Sequence, residues 1–128
     1  MVIRAQRMRV PKQEHGIEVK GIFEGYVQFD YLRPMGTVSF RSDILTIYGL
    51  SKTEMPRRVE MVGNVSMQMG EWSIDGREAF SDNMNMYVEF VGDVMVRRNN
   101  KVVGANLKNV RFDIIRQAIS SQQEDGSS

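Results

Sequence analysis

Cysteine is absent from the 128 residues, which excludes a disulfide framework and any thiolate metal site but assigns no compartment. Histidine occurs once, as His15, which we place in a loop, so a multi-histidine metal site is excluded as well. An excess of one charge is also lacking. Seventeen Lys and Arg stand against 16 Asp and Glu, a formal net charge of +1, so no bulk field draws nucleic acid. No apolar run approaches the ~20 residues that cross a bilayer as a helix. No secretory signal, Gly-rich phosphate loop or nucleotide motif is present. The carboxylates Asp43, Asp75 and Glu78 are scattered on outward strand faces, without metal-ligand or Ser-His-Asp spacing. We therefore expect neither catalysis nor a cofactor nor a metal.

What the chain does have is a phrase that returns. An apolar residue, a spacer, Gly, a spacer, Val, a spacer and a second apolar residue occur as Phe23-Glu24-Gly25-Tyr26-Val27-Gln28-Phe29. The same order recurs as Met61-Val62-Gly63-Asn64-Val65-Ser66-Met67 and as Phe90-Val91-Gly92-Asp93-Val94-Met95-Val96. After each copy comes a shorter phrase of apolar, spacer, small and polar residues: Phe40-Arg41-Ser42-Asp43, Ile74-Asp75-Gly76-Arg77 and Val103-Gly104-Ala105-Asn106. A further copy of the shorter phrase opens the chain as Ile3-Arg4-Ala5-Gln6. Alternation with period two means strands. A strand pair that repeats means stacked hairpins, because each unit needs its neighbours to bury its apolar face.

Seven strands are expected: Val2 to Val10, Ile17 to Tyr31, Thr37 to Tyr48, Val59 to Met69, Trp72 to Phe80, Met86 to Arg98, and Lys101 to Ile115 with a break near 106–109. Lys12 to Gly16, Arg33 to Gly36, Gly49 to Pro56, Gly70-Glu71, 81–83 and Asn99-Asn100 read as turns or loops, and paired Asn suits a two-residue hairpin turn. Only 115–119 has any helical pattern, and it is too short to hold a helix alone. Alternation places Phe23, Gly25, Val27 and Phe29 on one face. It does the same for Met61 to Met69, for Val38, Phe40, Ser42 and Ile44, and for Met86 to Val96. Each strand is apolar on one side and polar on the other, as in antiparallel sheets around a common interior. Length points to one domain, 1–119, and the polar end 120–128 reads as a disordered tail. The chain opens inside a strand phrase, so we expect a segment upstream of it.

The recurrent small residues admit two readings. Gly25, Gly63 and Gly92 either mark bulges that curve the sheet or, layered with Ala5, Ser42, Gly76 and Ala105, leave room inside it. The ten methionines either fill a core or line a surface that repacks around a flexible guest.

These phrases, from Ile3 to Ile114, resemble the repeats of the OstA-like lipopolysaccharide-transport (Lpt) family. The resemblance implies an all-β fold, an antiparallel β-jellyroll of stacked V-shaped hairpins with an apolar interior groove. The chain departs from the family pattern in a longer first hairpin, in Ser42 and Gly76 where Ala is usual, and in Arg77 and Asn106 where Asp is usual. Either the soluble bridge (LptA-like) or the inner-membrane-anchored component (LptC-like) fits.

The resemblance further implies a periplasmic carrier of lipopolysaccharide without chemistry of its own, its signal peptide or anchor lying outside this sequence. The apolar strand faces nominate Phe23, Val27, Phe29, Phe40, Ile44, Met61, Val65, Met67, Trp72, Ile74, Phe90 and Val94 as groove residues, about half of them touching ligand; the alternative is that most are closed core. Arg4, Arg7, Arg9 and Lys12, and again Arg97, Arg98 and Lys101, are either phosphate contacts at a groove mouth or ordinary solvated faces. The opening strand (Ile3 to Val10) and the closing strand (Val102 to Ile114) are expected to be unpaired edges. Other Lpt jellyrolls or a second copy, head to tail, are the expected partners. A ligand-free, self-assembling β-solenoid scaffold is the alternative, against which the irregular glycine positions 25, 63 and 92 argue.

Overall fold

The computed structural model describes residues 2–10, 18–34, 36–49 and 58–122. Within them the chain forms nine strands and no helix. They are β1 (Val2–Arg4), β2 (Arg7–Arg9), β3 (Glu18–Tyr31), β4 (Val38–Gly49), β5 (Arg58–Met69), β6 (Trp72–Ser81), β7 (Tyr87–Arg98), β8 (Lys101–Asp113) and β9 (Ala118–Gln122). All pair antiparallel in one sheet, in the order β1-β3-β4-β5-β6-β7-β8-β9, and β2 also pairs with β3. Neighbours in sequence are thus neighbours in space, as short hairpin turns require. At Asn99 and Asn100, φ is 54° and 65°, the positive values of a tight hairpin reversal. The turn expected at 12–16 with His15, the loop expected at 50–56, and 123–128 lie outside the described residues.

The long strands share a bend near their middles, and it is built the same way three times. Gly25, Gly63 and Gly92 have φ of 83°, 86° and 87°. The residues after them, Tyr26, Asn64 and Asp93, are also left-handed. Here the glycine strand carries two residues against one on the neighbouring strand: Val62 pairs with Glu78 and Val65 with Gly76, leaving Gly63 and Asn64 opposite Arg77. This two-against-one count is a β-bulge, which bends and twists the sheet. The bends divide the sheet into two arms. One holds the β3–β8 segments around Phe29, Phe40, Met67, Ile74 and Val96; the other holds those around Leu45, Met61, Ala79, Phe90 and Val110.

The arms close on a single apolar core. Contacts at the rim opposite the bend hold them together. The Tyr31 hydroxyl donates to Asn85 Oδ1 at 2.8 Å, and Trp72 of one arm meets the Phe112 ring of the other, centroids 5.8 Å apart.

Several expectations need correcting. The space beside the three glycines is not interior room. A Cβ there would strike the side chains of Gln6, Asp43 and Arg77 respectively, the polar ends of the shorter phrases. The glycines are the bulges that curve the sheet. Ile44 does not share a face with Phe40 and Ser42; it is 37% exposed, and Leu45 points inward in its place. The reason is the bulge: β4 spends only one residue, Asp43, on the bend, so its alternation inverts there. Met86 precedes β7 and is exposed. The opening strand is split into β1 and β2 at the first bend, where Gln6 N donates to the carbonyls of Glu24 and Gly25. Residues 114–117 are a turn, and β9 extends through 120–122, where a disordered tail was expected. Consequently the closing strand is only half an edge: β9 covers Asn109 to Asp113.

Candidate functional site

The column between the arms is the candidate site. Of the twelve residues nominated from sequence, nine are 0–2% exposed: Val27, Phe29, Phe40, Met61, Val65, Met67, Ile74, Phe90 and Val94. Trp72 is 5% exposed. Phe23 is partly buried against the same cluster, and Ile44 alone lies outside it. Sequence reasoning missed Leu45 and Ile47, hidden by the inverted alternation of β4. It also missed Val110 and Phe112, whose period-two spacing in the second half of β8 was a usable signal.

Aromatic rings organise the column. Phe29 and Phe40 stack with centroids 5.6 Å apart, and Tyr31 meets Phe29 edge-on at 6.3 Å. Two serines are buried among the apolar side chains. Ser42 donates to the Ile44 carbonyl at 3.0 Å, and Ser81 donates to the Tyr87 carbonyl. The Trp72 Nε1–H is buried and has no acceptor among the described residues.

Both ends of the column lie at strand edges. At one end Met8 and Phe23, cross-strand partners, close over Gly21, and Met8 remains 59% exposed. At the other end Leu107 and Ile119 are partly buried against the core. Among the described residues, Lys101 to Lys108 of β8 have no strand on the side away from β7. Val102 and Val103, adjacent residues in that stretch, are each 54% exposed.

Several of the arginines nominated as phosphate contacts have carboxylate partners. Arg9 meets Glu24 at 2.7 Å, Arg97 meets Asp75 at 3.0 Å, and Arg98 meets Glu71 at 2.8 Å. Hydrogen bonds from Arg9 and Arg98 hold the Glu24 and Glu71 carboxyls below their ordinary value of 4.5. A solvent-facing concavity of about 420 Å³ lies at the bend, beside Tyr26, Arg41, Asp43 and Asn64. Among the described residues no group of three or more His, Cys, Asp and Glu side chains comes together to hold a metal ion.

An open antiparallel sheet, creased by repeated glycine bulges and closed over an apolar column, is a β-jellyroll of stacked V-shaped hairpins. Among solved structures, the chain is similar to the crystal structure of LptH, the LptA homologous periplasmic component of the conserved lipopolysaccharide transport device from Pseudomonas aeruginosa. The TM-score is 0.67 at 12% identity, covering 99% of this chain and 85% of that one. At that identity the likeness establishes the fold. No protein-family model matches the sequence, and no curated protein matches it.

Proposed function

We propose that this chain is a non-catalytic carrier that shelters the acyl chains of lipopolysaccharide between its two arms, leaving sugar and phosphate groups in water. One observation carries the reading. An uninterrupted apolar column runs from Ile3 and Phe23 to Leu107 and Ile119, between the two ends of an open sheet. An acyl chain gains roughly 0.8 kcal/mol for each CH₂ removed from water, so a carrier needs continuous apolar surface and no catalytic constellation. The description of LptH as a periplasmic component of a lipopolysaccharide transport device supports the cargo and the compartment.

The partners in this reading are other Lpt jellyrolls, or a second copy, docked on the uncovered strand edges. Those edges are β1–β2 at one end and Lys101 to Lys108 at the other. A contact between unlike ends is heterologous, so it extends into a chain of subunits rather than closing into a symmetric dimer.

Photo-crosslinking tests the interior site. A crosslinking residue at Val65 or Val94, both buried in the column, should label lipopolysaccharide during transport, and one at Gln28 on the outer face should not. Labelling at Gln28 that equals or exceeds that at both interior positions would refute the site. A chain that forms filaments and extracts no lipid would be the scaffold instead.

A further inference from the structure

Trp72 carries a polar group that the fold leaves unanswered. Its indole is 5% exposed, and its Nε1–H has no hydrogen-bond partner among the described residues. Buried indole N–H groups ordinarily find an acceptor, and leaving one unpaired is costly. Phenylalanine would keep an aromatic ring there, with a smaller face for Phe112 and Arg98 but without that cost, so these ring contacts do not call for the N–H itself.

The position of Trp72 suggests what does. It is the first residue of β6, directly after the Gly70-Glu71 turn, and so stands at the rim of its arm. On one side its ring meets the edge of Phe112 at an interplanar angle of 65°. Over it lies the exposed Arg98 guanidinium, 4.9 Å from the ring centroid and hydrogen-bonded to Glu71. The indole is therefore buried just inside the boundary between the apolar column and a charged rim. Tryptophan is used in the same way where hydrocarbon meets water.

We infer that Trp72 Nε1 donates a hydrogen bond to the carbonyl oxygen of an acylated amphiphile, at the ester or amide that joins acyl chain to headgroup. This rests on the carrier reading. A chain lying along the column with its head in water places its first carbonyl just inside the rim, in the buried surroundings of the unpaired donor. The chemistry is selective: an ester or amide offers a strong acceptor there, and an ether-linked alkyl chain offers a weak one.

Two lipids differing only in that group test the inference. They are 1-myristoyl-lysophosphatidylcholine and its 1-O-tetradecyl counterpart, titrated calorimetrically below their micelle-forming concentrations into the full chain and into Trp72→Phe. The acyl lipid should bind about tenfold more tightly than the ether lipid, and Trp72→Phe should erase the preference in a chain that still unfolds cooperatively. Because Trp72 is the chain's single tryptophan, its indole N–H resonance can be followed in the parent alone. It should move downfield with the acyl lipid and not with the ether lipid, which keeps the test decisive if Trp72→Phe fails to fold. Equal affinities in the parent, or a preference that survives in Trp72→Phe, would overturn the inference and leave the carrier reading standing. Failure of both lipids to bind would overturn both.

Discussion

Tyr26 occupies the position that Asn64 and Asp93 occupy at the other two bends, with φ of 45° against 48° at each of those. A short polar side chain tolerates this left-handed conformation; a bulky one does not. Asn64 and Asp93 also hold their bends laterally. Asn64 Nδ2 donates to Asp43 Oδ2 at 3.0 Å, and Asp93 pairs with Arg77. Tyr26 is 86% exposed, so packing does not offset its backbone strain. Tyr26→Asn should therefore stabilise the chain by about 0.5–1 kcal/mol, read from its urea unfolding midpoint. A lower midpoint would mean that the ring has a role the fold alone does not explain. At this scale the sequence is legible for residues whose type determines their place. Alternation alone sets Val65 and Met67 on the inner face. It misplaces Ile44, because the face of that residue depends on how many residues β4 spends on the bend.

The β5–β6 and β7–β8 turns are tied to each other. Asn99 N donates to the Glu71 carbonyl at 2.8 Å, and the Glu71 carboxylate accepts from both Arg98 and Asn99. Because these bonds favour the ionised form, Glu71 has a folded pKa below 4.5. Its contribution is complete above that ordinary value and is lost as pH falls through the lower, folded one. Glu71→Gln should melt below the parent near neutral pH, and the gap should close as the melting series is carried into acid. The tie is exposed, so added salt should narrow the gap too. A gap independent of pH would assign the effect to lost packing. The strands joined by such turns are readable because an alternating pattern and a turn-forming pair fix both length and ends. β9 is not, since Ala118-Ile119-Ser120-Ser121-Gln122 has one large apolar residue and looks like a tail; only pairing with the second half of β8 makes it a strand. The unpaired Trp72 nitrogen is equally invisible, because an absent acceptor belongs to the three-dimensional surroundings and not to the residue.

At the scale of the molecule, the two ends of the sheet are unlike. Among the described residues, β1 and β2 leave one side of the opening edge uncovered along both arms, whereas β9 restricts the closing edge to Lys101–Lys108. Charges placed on an edge strand disfavour its pairing with another chain. Replacing Val102 and Val103, both exposed, by lysine should weaken the proposed end-to-end association about tenfold in sedimentation while leaving the melting temperature of the isolated chain within a few degrees. Undiminished association would place the contact elsewhere. Prolines at Arg111 or Asp113 would be poor probes, because those residues already pair with Ser120 and Ala118.

The repeated bend has a consequence for size. Because β3 to β8 each run unbroken from one arm through the crease into the other, every hairpin contributes to both walls at once. The width of the apolar column is thereby set by strand length, and its length along the stack by hairpin number, at about 10 Å for each two-strand addition. Gain or loss of a hairpin would work like a graduated ruler, lengthening or shortening the apolar column in fixed steps without altering its width.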